Sequence, residues 1–182
     1  MSVEPPASAY DMGHKVEAES LATFAILVDN EPGVLHRVVG LFASRGYNIE
    51  SLTVAETDRR AHTSRVTIVT RGTPHVLAQI EAQLEKMVST RHVQDVTRDP
   101  NGLERELALV KVRGTGADRV EALRVGDIFR AKVIDTTHES FVFEITGAPS
   151  KIDNFVDLMR PLGLVEVSRT GVLSIQRGAR PL

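Results

Sequence analysis

Over residues 21–98 the apolar residues change period in a fixed order, and that order constrains the fold more than any other feature of the chain. Leu21-Ala22-Thr23-Phe24-Ala25-Ile26-Leu27-Val28 is an apolar run of strand length, stopped by the turn cluster Asp29-Asn30-Glu31-Pro32-Gly33. Val34, Leu35, Val38, Leu41 and Phe42 then recur at helical spacing, and Gly46 stands where a left-handed residue closes a helix. Residues 48–58 and 62–71 read as strands joined by a hairpin around Asp58-Arg59-Arg60. Thr73-Pro74 predicts a helix start, because the hydroxyl can cap orphan amides and proline fits the first turn without losing a needed donor. Val76, Leu77, Ile80, Leu84 and Met87 would form the buried stripe of that helix. A strand over 91–98 completes the order β-α-β-β-α-β, the ferredoxin-like plan.

The second half repeats this grammar. A strand over 106–113 leads through Gly114-Thr115-Gly116 into a helix whose apolar stripe is expected at Val120, Leu123 and Ile128. Residues 131–137 and 140–146 form a hairpin, with Phe141, Phe143 and Ile145 on one face. Ser150 and Asp153 have the spacing of a capping box, and Ile152, Phe155, Val156, Met159 and Leu162 follow at helical spacing. Strands over 165–168 and 172–176 close the domain. The expected architecture is therefore α+β, two ferredoxin-like (βαββαβ) domains in tandem. A tail over 1–20 precedes the first domain at 21–98, a linker over 99–105 joins it to the second at 106–178, and 179–182 form a second tail.

Composition narrows the function. With 182 residues, 42% of them hydrophobic and 25% charged, the chain can bury a core. The 22 Lys+Arg against 24 Asp+Glu provide no excess positive field for phosphate backbones or anionic lipid, so neither nucleic acid nor membrane is an expected partner. No string combines basic and aromatic residues as an RNA-binding sheet requires, and no segment has the roughly 18 apolar residues of a membrane span. The lack of cysteine excludes a disulfide framework, a thiolate nucleophile and cysteine-bound metal. Residues 1–15 have no basic region followed by an apolar stretch, which leads to a cytoplasmic expectation.

The residues of catalysis are not arranged for it. His14, His36, His62, His75, His92 and His138 lack metal-ligand spacing, and neither a GxSxG elbow nor a GxxxxGK[ST] phosphate loop occurs. Gly114-Thr115-Gly116 reads as a plain strand-to-helix turn. Glu56, Asp58 and His62 surround one hairpin and read as an exposed turn, against the alternative of a small free-standing enzyme. The candidate that remains is Asp29-Asn30-Glu31-Pro32-Gly33, which joins a strand directly to a helix N-terminus. Free amides and the helix dipole favour an anion there, Gly33 admits a ligand close to the backbone, and Asn30 can offer a carbonyl to an ammonium.

Asn30-Glu31-Pro32-Gly33-Val34-Leu35, followed by Leu41 to Val54 with Arg45-Gly46-Tyr47-Asn48-Ile49-Glu50-Ser51-Leu52, resembles an ACT domain. With Ser64-Arg65-Val66-Thr67-Ile68, Arg105 to Val112, Ile128-Phe129-Arg130-Ala131 and Ser168-Arg169-Thr170-Gly171, the chain resembles the regulatory small subunit of acetolactate synthase, or acetohydroxyacid synthase. The resemblance implies a chain that makes no product and binds no cofactor itself. It implies a large catalytic subunit as partner, carrying thiamine diphosphate, Mg²⁺ and FAD, which this chain activates and makes sensitive to valine. It further implies a homodimer of ACT domains with valine at the interface, held by Asn30, Gly33, Val34 and Leu35 of one chain and Asn48 and Ile49 of the other. The alternative is an ACT-type amino-acid sensor controlling another enzyme or a transcription partner, although no DNA-binding module is present in the sequence.

Overall fold

The computed structural model describes residues 17–179 except Arg59. Residues 1–16 of the expected N-terminal tail, and 180–182 of the expected C-terminal one, lie outside the described residues. β1 (Ser20–Asp29) is buried on both faces over Ala22–Ile26, and its alternating side chains send Ala22, Phe24, Ile26 and Val28 into one core. α1 (Val34–Arg45) meets that core with Val34, Val38 and Phe42, spaced four apart on one face, and ends at Gly46, whose amide and that of Tyr47 return to the carbonyls of Ala43 and Phe42. β2 (Ile49–Asp58) and β3 (Thr63–Gly72) pair antiparallel. Asp58 Oδ1 organises their turn by accepting from the amides of Arg60 at 2.7 Å and Ala61 at 3.1 Å. α2 (Pro74–Glu85) starts as expected, with Thr73 Oγ1 accepting from the Val76 amide at 3.4 Å, and buries Leu77, Ile80 and Leu84. β4 (Thr90–Asp95) completes an antiparallel sheet in the order β2-β3-β1-β4.

The second unit contains β5 (Gly102–Arg113), α3 (Gly116–Phe129), β6 (Lys132–Thr136), β7 (Ser140–Gly147), α4 (Pro149–Met159), β8 (Leu164–Arg169) and β9 (Leu173–Gln176). The path β6-β7-β5-β8 repeats the first sheet's order. Phe141, Phe143 and Ile145 share one face as expected, and they pack with Ala108, Val110 and Val112 of β5 and Ile152, Phe155, Val156 and Met159 of α4.

Three expectations are corrected. The segment 99–105 is not a linker throughout, because Gly102–Arg105 form the start of β5 and pair with β9. β9 therefore extends β5 and does not close the second sheet's main path. In α3 the buried residues are Ala122, Val125 and Gly126, while Val120 and Ile128 are each 67% exposed and Leu123 also faces solvent. At Gly126 the inner face has no room for a side chain, because Phe143 stands against it. A methyl group at Gly126 would come within 2.7 Å of that ring. Finally, the cap of α4 is Ala148 with Pro149 in the first turn and no side-chain hydrogen bond, so Ser150 lies inside the helix and caps nothing.

The two units pack together. On the face of the first sheet away from its helices, Thr23, Ala25, Thr67 and Val69 are buried. β9 lies against β1, and the turn at 170–172 lies against β2. The Val96 amide donates to the Thr23 carbonyl at 2.8 Å, leading the chain from β4 toward β5.

Candidate functional site

The loop after β1 ends at Gly33, which is left-handed with φ 84° and stands as the N-cap of α1. A side chain is strained in that conformation, so glycine suits the turn. No side chain caps α1 and no acid occupies its first turn. The Val34 and Arg37 amides are taken by the Glu31 and Gly33 carbonyls, leaving those of Leu35 and His36 without a backbone acceptor among the described residues. These amides and the positive end of the helix dipole favour a carboxylate. Around the loop, Asp29 Oδ1 accepts from Arg91 Nε at 2.6 Å and Glu31 pairs with Arg37 at 3.4 Å. Asn30 donates its main-chain amide to the His62 carbonyl at 2.7 Å and its side-chain nitrogen to Glu56 at 3.4 Å, which fixes the loop beside the far end of β2.

Asn30, Gly33 and Leu35 are exposed together at this end of the sheet, whereas Val34 turns into the first core and anchors the turn. Asn48 and Ile49 lie at the other end. Ile49 opposes Thr70, which opposes Ala22, while Asp29 opposes Thr63 beside Asp58. At about 3.4 Å per strand residue, the two groups are separated by roughly 25 Å within one chain. Asn48 is exposed, its carbonyl accepting from Thr70 Oγ1 at 2.6 Å, and Ile49 is half-buried against the first core. The fold thus assembles four of the six expected residues at one pole of α1 and two at the other. β2, between the poles, is an edge strand that pairs with β3 alone among the described residues.

The hairpin alternative has no catalytic geometry. Asp58 is the turn acceptor, Glu56 meets Asn30, and His62 occupies a left-handed position with φ 49°. Among the described residues no group of three or more His, Cys, Asp or Glu could hold a metal ion, and no helix is long and apolar enough to cross a membrane.

A model of the acetolactate synthase small subunit matches residues 105–178, and one of the small-subunit-like ACT domain of acetohydroxyacid synthase matches 24–92. The small subunit of acetolactate synthase isozyme 3 from Escherichia coli is 44% identical over 155 residues, covering 85% of this chain and 94% of that one. The chain belongs to the acetolactate synthase small-subunit family. The acetolactate synthase small subunit of Mycolicibacterium smegmatis is 40% identical over 158 residues, covering 87% of this chain and 92% of its own. The crystal structure of the Thermotoga maritima acetolactate synthase small subunit superposes with a TM-score of 0.77 at 38% identity, covering 88% of this chain and 99% of that one. Membership makes this chain a regulatory, non-catalytic subunit and its N-terminal unit an ACT domain.

One feature of this small subunit was not legible in its sequence. A cleft of about 490 Å³ opens between the two domains, walled by Leu21, Glu50 and Val69 on one side and Pro149, Asp153 and Arg169 on the other. Glu106 beneath it is 4% exposed and accepts two hydrogen bonds from Arg169, at 2.8 and 2.5 Å, while Asp153 accepts a third at 2.6 Å. The bonds to Glu106 hold the Arg169 guanidinium charged still more firmly than in water. The two walls come from positions 80 to 148 residues apart, so no local motif announces them.

Proposed function

We propose that this chain binds the large, thiamine-diphosphate-dependent subunit of acetolactate synthase, raises its activity, and confers feedback inhibition by valine. In that assembly Mg²⁺, FAD and thiamine diphosphate belong to the catalytic partner, and this chain contributes only the effector site. The observation that carries the reading is the separation of the two candidate groups about β2, which pairs on one side only among the described residues. Antiparallel pairing of β2 with β2 of a second copy sets the Ile49 end of one strand beside the Asp58 end of the other. Glu56 and Asn30 lie at that end. Asn48 and Ile49 of one protomer then meet Asn30, Gly33 and Leu35 of its partner. The α1 amides take the effector's carboxylate, the Asn carbonyls take its ammonium, and Leu35 with Ile49 forms a small apolar wall. Val34 acts by holding the turn. A wall of this kind separates side chains differing by one methylene by about 1–3 kcal/mol.

Isothermal titration of the purified chain with valine, leucine, isoleucine and alanine tests this. Saturable binding that prefers valine, near one site per protomer and lost in N48A, is the expected result. Valine binding unaffected by N48A overturns the placement, and no valine response in the reconstituted holoenzyme overturns the function.

A further inference from the structure

Ser168-Arg169-Thr170-Gly171 plays no part in the effector site, yet the tertiary structure sets it against the strand that carries half of that site. Ser51 Oγ accepts a hydrogen bond from the amide of buried Val172 at 3.1 Å, and Thr53 Oγ1 donates to the Thr170 carbonyl at 3.5 Å. Between them, the Gly171 backbone rests directly on β2. A Cβ there would lie 2.6 Å from Ser51 Oγ and 2.8 Å from Thr53 Oγ1, and φ is 83°. Contact and conformation thus both demand glycine at this position.

On its other side the turn is built into the second domain. The Thr170 amide donates to the Leu107 carbonyl at 3.0 Å, and the Leu107 amide donates back to Thr170 Oγ1 at 3.2 Å. Arg169 is held by buried Glu106 of β5 and by Asp153 of α4. A turn fixed this way cannot follow β2 without carrying β5 and α4 with it. Ser51 stands two residues beyond Ile49 on the same strand, about 7 Å along it. A displacement of Asn48 and Ile49 is therefore imposed on the clasp within one pleat.

We propose that Thr170-Gly171-Val172 is an inter-domain clasp through which occupancy of the effector site in the ACT domain is conveyed to the second domain. This rests on the reading of Asn48 and Ile49 as one wall of the effector site. Ser51 and Gly171 are then positioning residues, touching no ligand but coupling the ligand's strand to the rest of the subunit.

The test uses the full chain reconstituted with its catalytic subunit, as wild type, S51A, G171A and N48A. Three quantities are read: valine affinity of the regulatory chain by titration, activation without valine, and the valine concentration for half-inhibition. S51A removes the acceptor with little steric change, and G171A wedges the clasp open. Coupling energies of this class correspond to factors of about 5–150. S51A is expected to bind valine within about two-fold of wild type and to activate normally, while in both variants half-inhibition moves to at least about five-fold higher valine. Inhibition of S51A and G171A at wild-type valine concentrations overturns the clasp and leaves the effector site standing. Valine binding that survives N48A overturns the site reading and removes the basis of the coupling with it. Loss of valine binding in S51A places Ser51 in the site itself, and also overturns the clasp.

Discussion

Replacing Arg169 with alanine removes all three charge-assisted hydrogen bonds at the base of the inter-domain turn, and the consequence depends on what is left behind. Asp153 is half-exposed and returns to water at little cost. Glu106 cannot, because its side chain is 4% exposed and its two bonds come from the group removed. Removing one partner of a buried pair costs about 3–5 kcal/mol when water is excluded. Arg169 is itself 36% exposed, so truncating it lets water approach, and about 2–3 kcal/mol is expected. With an m-value of about 2 kcal/mol/M, that lowers the urea midpoint by roughly 1 M at unchanged m. The decisive variant is E106Q added to R169A. If the cost arises from an uncompensated charge, the neutral amide recovers about 1 kcal/mol or more, so the second substitution stabilises the first. Far-UV circular dichroism in urea reads all four corners of the cycle. R169A within about 0.5 kcal/mol of wild type, or E106Q lowering R169A further, refutes the reasoning.

Gly126→Ala sets two effects against each other. Alanine is the better helix former by about 1 kcal/mol, but its methyl group meets the Phe143 ring, which is buried, tilted against Phe141 and edge-to-face with Phe155. Overpacking costs about 1–3 kcal/mol, so a lower midpoint in the same urea assay is expected and an increase would show that the ring yields. At Gly33 there is open space and a left-handed backbone, so Gly33→Asp is accommodated with about 1–2 kcal/mol of strain. On the proposed reading of the site, its carboxylate occupies the place of the effector's. Valine inhibition of the holoenzyme is expected to disappear while activation persists, and an unchanged inhibition curve would place the site elsewhere.

The first domain was legible almost throughout. The apolar run of β1, the Val34-Val38-Phe42 face of α1, and the Thr73-Pro74 start of α2 are all relations between residues a few positions apart. Hydrophobic period and cap chemistry record such relations directly. In the second domain α3 misled, because Val120, Leu123 and Ile128 offer more apolar surface than Ala122, Val125 and Gly126. Hydrophobicity favours the larger side chains, whereas at Gly126 the space left by Phe143 admits none. The Gly102–Arg105 strand was missed for a related reason, since its partner, β9, lies about seventy residues further along the chain.

The six candidate effector residues divide the same way. Local pattern alone singled out the Asn30-Gly33 turn as a candidate for an anion, because a strand that runs into an uncapped helix exposes amides wherever it occurs. Only the sheet register decided that Asn48 and Ile49 stand at the opposite pole of α1, roughly 25 Å away, so that the six residues do not come together within one chain. Only the packing of the two domains seated Gly171 on Ser51, across 120 positions of chain. Spacing along a chain determines which face a side chain takes, and what that face meets is decided when distant segments compete for the same volume.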